Sequence, residues 1–305
     1  MDYKKIIKNR QSRRFILKKL YWLPDSILLR LQYRIKMGFW PHFSNPKRYT
    51  EKIQLYKMKY RNPLMPICVD KYEVRKYVKA KGMEHILTHL YGVYNHPDDI
   101  VFESLPNRFI AKSTTGGGGL NVIIIKDKST CDWDEVTKNM NSWCWNRSEG
   151  RAFSSGREWA YTGINQSRIV IEELLEDDRN TDGSIDDYKL MCFNGKFGSL
   201  WIDKNRYSNH KRGFWDKNLN FLPNVSSDHD TFEIPPVLPD NIDEMISMAE
   251  KLAEDFPYAR VDFYNIKGRI VFGEITFYPW SGYVQFHPDA FDFELGSLFI
   301  LDFAH

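Results

Sequence analysis

The chain has 305 residues, 42% of them hydrophobic, which is enough for a substantial core in one large domain or a few smaller lobes. Its 43 basic side chains nearly balance 40 acidic ones, so the net charge of +3 leaves no domain-wide footprint for nucleic acid, and none is expected as a partner. The four cysteines form no CxxC pair, suggesting neither a zinc site nor a disulfide framework, and no apolar run approaches the roughly 20 residues that cross a bilayer. The N-terminus also lacks the apolar core and cleavage site of a signal peptide, so the expected setting is cytoplasmic.

In chain order, residues 1–45 form a first unit in which Lys4, Lys5, Lys8, Arg10, Arg13, Arg14, Lys18 and Lys19 alternate with Ile6, Ile7, Phe15, Leu17 and Trp22. That pattern predicts a basic amphipathic helix or helix pair. Two uses stay open: peripheral contact with an anionic inner membrane face or a biosynthetic complex, and packing as a solvated helix on the main body, which is the commoner fate. Residues 46–105 form a second region. Within it Asp70-Lys71-Tyr72-Glu73 places an acceptor three positions before a glutamate, with Val74, Tyr77 and Val78 at helical spacing, so a helix is expected to begin near Asp70.

Residues 106–175 read as a central lobe. The β-rich run Arg108–Lys112, the turn Thr114–Gly119 and the β-branched run within Asn121–Lys126 predict strand, glycine loop and strand. Asp132–Trp145 predicts a helix and Arg168–Leu175 an apolar strand. Residues 176–305 read as a second lobe, opening with a hairpin of Tyr188–Phe193 and Lys196–Ile202 around Asn194-Gly195. Asp240–Phe256 sets Ile242, Met245, Ala249 and Leu252 on one helical face, Arg260–Tyr264 and Arg269–Thr276 flank Lys267-Gly268, and a short helix follows from Phe291. Hairpins with irregularly interposed helices predict α+β lobes rather than a repeating βαβ sheet.

Three segments carry chemistry. Asp262 and Glu274 fall in one predicted hairpin; if they lie opposite each other, their carboxylates repel unless a cation such as magnesium, bridging phosphate oxygens, stands between them. Exposed strand carboxylates are the plainer alternative, but the apolar neighbours Val261, Phe263, Ile275 and Phe277 favour the metal. Thr276 shares the face of Glu274, and Arg260 shares that of Asp262, where it can meet a transferring phosphate or simply form an ion pair. Lys112 ends a strand before Gly116, Gly117, Gly118 and Gly119, whose backbone can approach a phosphate. This is no Walker loop, because Leu120-Asn121 follows. Glu172-Glu173-Leu174-Leu175 ends an apolar strand where backbone and carboxylate can meet an adenine and a ribose, and Lys189 adds a cation to the next hairpin.

In this order, Lys112 with its glycine loop, Glu172-Glu173-Leu174-Leu175, Asp187-Tyr188-Lys189, Arg260-Val261-Asp262 and Glu274-Ile275-Thr276 resemble the ATP-grasp superfamily. More narrowly, Val69–Arg75, Gly156-Arg157-Glu158-Trp159, Phe193-Asn194-Gly195-Lys196 and Gly273–Pro279 look like the TupA-like ATP-grasp family, over about Pro46 to Gly296. The resemblance implies two α+β lobes gripping ATP, and an ATP-dependent ligase that joins a carboxylate to an amine through an acyl phosphate. It implies that Lys71, Lys112 and Lys189 meet the nucleotide, that the glycine loop covers the phosphates, and that Glu173, Leu174 and Leu175 line the adenine and ribose pocket. By the same resemblance Asp262 and Glu274 hold magnesium, with Arg260, Lys112 and Lys189 as catalytic cations; Thr276 stands where many members carry asparagine.

The family is associated with bacterial surface-polysaccharide gene clusters, and its members are often labelled glycosyltransferases on gene context. A uronic acid carboxylate and an amino-acid amine are therefore a consistent substrate pair. Arg157, Trp159, Tyr161, Arg206, His210, Lys211 and Arg212 lie outside the nucleotide pattern and are candidates for gripping an anionic sugar. Rival expectations are a glycosyltransferase using Asp177-Asp178 or Asp186-Asp187, a sugar kinase sharing Lys112, Asp262 and Glu274, and a non-catalytic membrane scaffold.

Overall fold

The computed structural model describes residues 15, 19–115, 121–146, 156–180 and 182–301. Most of the helix predicted over the first residues, and the glycine run 116–119, lie outside the described residues.

The helix α1 (Asp25–Met37) buries Leu28, Leu29, Gln32, Tyr33 and Met37 on one face. That face rests on α2 (Tyr49–Lys59), where the Tyr33 hydroxyl meets Thr50 at 2.8 Å. Two short helices follow, α3 (Leu64–Val69) and α4 (Val74–Ala80). The expected helix start near Asp70 moves to Val74, because the Asp70 carboxylate accepts from the amides of Tyr72 and Glu73, both at 2.9 Å, and holds them in a turn.

The first sheet has four antiparallel strands in the order β1-β6-β2-β3: β1 (Leu90–Tyr94), β2 (Phe109–Ser113), β3 (Val122–Ile125) and β6 (Ile169–Glu172). Phe109, Ala111, Ile125, Ile169 and Ile171 form its core with Met140 and Trp143. The helix predicted to reach Trp145 is α5 (Trp133–Asn141), capped by Asp132; Trp145 instead opens β4 (Trp145–Asn146), which pairs with β5 (Gln166–Ser167). The strand predicted to reach Leu175 ends at Glu172, opposite Leu90 where β1 begins, and one residue on the Glu173 N–H donates to the His89 carbonyl.

The tiny helix α6 (Trp159–Thr162) leads into the second lobe, whose five antiparallel strands run β11-β10-β7-β8-β9. They are β7 (Asp187–Phe193), β8 (Lys196–Lys204), β9 (Lys211–Trp215), β10 (Tyr258–Ile266) and β11 (Arg269–Thr276). The helix α7 (Ile242–Ala253) covers one face through Met245, Ala249 and Leu252, an apolar stripe at helical spacing. The α+β architecture with two antiparallel sheets therefore holds, while β1 and β9, short and flanked by polar residues, were not legible as strands.

The last helix, α8 (Ala290–Leu298), closes the fold onto α2. Its buried Asp292 accepts from the backbone N–H of Thr50 at 2.9 Å and from the Thr50 hydroxyl at 2.7 Å, satisfying the open N-terminal amide of α2. Replacing Asp292 with Ala strands both donors, and a loss of about 2 kcal/mol in unfolding free energy is expected by urea titration, against a smaller loss for Asp292→Asn.

Candidate functional site

Residues directly opposite in antiparallel strands share a face of the sheet. The register sets Arg260 opposite Thr276, Asp262 opposite both Glu274 and Lys189, Lys189 opposite Trp201, Asp187 opposite Asp203, and Asp203 opposite Arg212. Two bulges produce this alignment. Counting from the Lys267-Gly268 turn, a regular ladder would set Asp262 against Gly273; the register shift leaves Gly273 unpaired and brings Glu274 across. Counting from Asn194-Gly195, Gly198 is passed over in the same way, so Trp201 rather than Leu200 faces Lys189. A Cβ at Gly273 would lie 3.0 Å from the Asp262 carbonyl oxygen, and one at Gly198 would lie 2.6 Å from the Phe193 ring.

The charges on this floor are paired. Arg260 donates Nε and Nη2 to the two oxygens of Asp262, each at 2.6 Å, and Nη2 also reaches Glu274 at 3.0 Å and Thr276 Oγ1 at 3.1 Å. Lys189 Nζ lies beside Asp187, 3.4 Å from Asp203 and 3.6 Å from Asp262, yet this buried ammonium completes no well-angled hydrogen bond. Arg206 donates to Asp187 at 2.9 Å, and Arg212 grips Asp203 at 2.6 and 3.2 Å, with His210 Nε2 3.0 Å from the same carboxylate.

Environment separates the carboxylates. Burial pushes the Asp262 carboxyl up against the pull of Arg260 and Lys189. Enclosure in the cleft also pushes on Glu274, but Arg260, Lys71 and Lys189 outweigh it and hold the group below the usual glutamate range. Glu274 nevertheless keeps 43% of its side chain exposed, so it is the acid on this floor that a ligand can reach. Burial opposes ionisation of Asp203 too, yet Lys189 and Arg212 keep it well below the ordinary aspartate value.

The four-stranded sheet supplies the facing set. Lys112 donates to one oxygen of Glu172 at 2.9 Å and Arg75 to the other at 2.8 Å, and Lys112 and Arg75 overcome burial to keep Glu172 ionised. Lys71 links the two sets: burial depresses its ammonium, Glu274 on the far lobe sustains it, and Lys112 on the near lobe opposes it. At the junction, Glu173 is held by Arg269, and Leu174 and Leu175 are half-buried.

Among the described residues, no three His, Cys, Asp or Glu side chains surround a common point. The donors on offer are the hard oxygens of Asp262, Glu274 and Thr276, with both Asp262 oxygens engaged by Arg260. Magnesium takes one or two carboxylates and completes its shell with phosphate and water. The donor set therefore fits a magnesium ion carried on phosphate, and does not fit a cage made by protein alone.

The other sequence candidates divide. Arg206, His210 and Arg212 join the floor, and Tyr161 lies within electrostatic reach of Glu274 and Arg260. Trp159 instead stacks under Arg61, 5.5 Å from its guanidinium. Arg157 is not part of the cluster; it donates to the carbonyls of Tyr21 at 2.6 Å and Leu23 at 3.0 Å, fastening the approach to α1. The acidic pairs considered for a sugar nucleotide are split: Asp177 turns to Arg179 and Asp178 to Lys267 at 2.8 Å, while Asp186 turns to Lys204 at 2.7 Å and Asp187 to Arg206 at 2.9 Å. Sequence reasoning missed Trp201, Asp203 and Arg75; the first two depend on the Gly198 bulge, and Arg75 sits on a helix whose face only the tertiary fold aims at Glu172.

A family model described as TupA-like ATP-grasp matches residues 51–300. No curated protein sequence matches the chain. Among solved structures, the D-alanine–D-alanine ligase of Helicobacter pylori is similar at 19% identity and a TM-score of 0.47, covering 83% of this chain and 69% of its own. The corresponding ligase of Bacillus anthracis gives 18% and 0.43, covering 69% of this chain and 57% of its own. An N5-carboxyaminoimidazole ribonucleotide synthetase solved with ADP gives 11% and 0.43, covering 70% and 46%. The chain thus spans little more than half the length of the Bacillus anthracis ligase and less than half that of the synthetase.

The rim of the floor is held by a turn under strain. Trp280 and Ser281 have φ of 47° and 58°, unusual for residues with a side chain, and the Trp280 ring lies 4.7 Å from Trp201 and 4.8 Å from the Arg212 guanidinium. The fully buried Lys57 fastens this turn, donating to the Ser281 carbonyl at 2.6 Å, its hydroxyl at 2.9 Å and Gln54 Oε1 at 3.0 Å. Burial lowers the Lys57 pKa to about 7, with Glu158 opposing. The unfolded chain therefore binds the extra proton between about pH 7 and the ordinary lysine value, and this group's contribution to stability rises with pH across that window. Denaturant titrations from pH 7 to 9 should show wild-type stability rising relative to Lys57→Met; parallel curves would contradict a depressed Lys57.

Proposed function

The chain belongs to the TupA-like ATP-grasp family, and from that premise we propose that it is an ATP-dependent ligase joining a carboxylate to an amine through an acyl phosphate, with ADP and phosphate as products. The observation that carries this reading is the convergence of cations on the half-open carboxylate of Glu274, Lys71 from one side and Lys189 and Arg260 from the other, with Lys112 on Glu172 within electrostatic reach of Lys71. A polyphosphate needs cations on two sides and a hard-cation ligand between them, and this cleft offers both.

In this reading Lys112 and Lys71 bind and neutralise the nucleotide phosphates, while Lys189, whose ammonium lacks a well-made hydrogen bond, offers its protons to a phosphate oxygen. Asp262, Glu274 and Thr276 would hold magnesium, which when bound supplies charge neutralisation at the transferring phosphoryl group. Arg260 stabilises the charge growing on that group, its fork moving from Asp262 to phosphate oxygen. Glu173, Leu174 and Leu175 at the lobe junction take the adenine and ribose. The glycine run 116–119 is assigned, from its sequence, to covering the phosphates and keeping water from the acyl phosphate. The substrate carboxylate attacks the γ-phosphorus and ADP leaves; the amine then attacks the carbonyl carbon of the acyl phosphate, and the tetrahedral adduct gives its extra N–H proton to solvent and expels phosphate to leave the amide.

A uronic acid carboxylate and an amino-acid amine, in decoration of a bacterial surface polysaccharide or its precursor, are the substrates we assign. Arg212 beside the Trp201 and Trp280 rings, with His210 on the same Asp203 carboxylate and Arg206 on Asp187, suits an anionic sugar, since a cation and aromatic faces stand together. Magnesium-dependent ADP formation, measured with uronic acids and amino acids added singly and together, should require one of each. Glu274→Gln should lower the rate by about 100-fold or more with the melting temperature held, and Lys112→Met should weaken nucleotide binding. ADP formation with a hydroxyl acceptor alone would assign a kinase, and a Glu274→Gln enzyme as active as wild type would overturn the site.

A further inference from the structure

The helix α1 has a second apolar face. Its inner face is fastened to the body, through Tyr33 on Thr50 and through the Tyr283 hydroxyl, which donates to Gln32 at 2.8 Å. Its outer face carries Ile27, Leu31 and Ile35 at successive turns, 47%, 39% and 52% exposed. Trp22, 78% exposed, precedes this stripe and Trp40, 55% exposed, follows it. Arg30 and Arg34 are exposed along its edge.

We propose that this outer face docks on an anionic lipid surface. The stripe covers two turns, roughly 12 Å, which is a shallow ridge rather than an inserting segment. Among the described residues no helix is long and apolar enough to cross a membrane, so the attachment is peripheral. Tryptophans at both ends are the side chains that settle at the boundary between headgroups and acyl chains. Arg30 and Arg34 can lay their stems along the ridge and raise their guanidinium groups to lipid phosphates. Residues 1–19 add eight Lys and Arg against one Asp, a charge pattern complementary to an anionic leaflet. A helix with a modest apolar stripe needs both apolar contact and opposite charge to hold a bilayer, and this segment supplies both.

Docking would also orient the catalytic cleft. Lys36 lies 3.9 Å from the Tyr283 ring and its carbonyl accepts from Gln285 at 2.8 Å, so α1 is tied to the segment that begins with Trp280 at the rim of the charged floor. On the ligase reading, an enzyme seated this way keeps that rim at a fixed orientation to the bilayer.

Co-sedimentation of the full chain with vesicles tests this. Vesicles with roughly one-third phosphatidylglycerol should bind the protein about tenfold or more tightly than pure phosphatidylcholine vesicles. Ile27→Gln/Leu31→Gln/Ile35→Gln and, separately, Arg30→Glu/Arg34→Glu should each lower that binding by about tenfold with melting unchanged. Absence of binding to the anionic vesicles would overturn the proposal. So would undiminished binding by both variants, which would place attachment elsewhere on the chain. Concentration-dependent self-association in sedimentation velocity, abolished by the triple variant and unaccompanied by vesicle binding, would make the occupant a second copy of the chain and also overturn it.

Discussion

Alignment of the charged floor depends on two residues that pair with nothing. Because side chains alternate along a strand, a slip of one residue turns every functional group to the opposite face. The shifts at Gly198 and Gly273 apply that slip once in each hairpin, and after them Asp262, Glu274, Lys189 and Trp201 meet. Without the Gly273 bulge, Val261 would oppose Glu274, and the acid would lie over an apolar neighbour. Both positions also sit where a Cβ would press on an adjoining group, so the bulges are built in tightly.

Burying this many charges is unfavourable unless each finds an opposite. Arg260 is the main solution, since its planar fork fits both Asp262 oxygens while a nitrogen remains in reach of Glu274 and Thr276. The turn at Trp280 and Ser281 is a second local cost, offset by the three hydrogen bonds of a lysine that has no exposed surface.

Much of this arrangement was legible in the residues. The two hairpins announce themselves through Asn194-Gly195 and Lys267-Gly268, and the α7 stripe through its helical spacing. Opposition of Asp262 and Glu274 was a condition that sequence could state but not decide, because a glycine in a strand marks a bulge no better than it marks a weak spot. Trp201 and Asp203 were hidden by the Gly198 shift for the same reason. Arg157 misled in another way: its cation beside Glu158 and Trp159 looks like a ligand grip, whereas the carbonyls of Tyr21 and Leu23, far off in the chain, claim it. Contacts made across more than a hundred residues leave no local pattern to read.

The floor sets the four acids Asp187, Asp203, Asp262 and Glu274 against the four bases Lys189, Arg206, Arg212 and Arg260, with His210 beside Asp203. An anion that reaches this floor therefore meets cations that already have partners, and its binding there is an exchange of those partners. Such an exchange is insensitive to the Debye length, since the exchanged contacts are a few ångströms long. Ionic strength then has little hold on this floor, and selectivity there rests on whether a ligand can replace each broken pair with one of the same geometry.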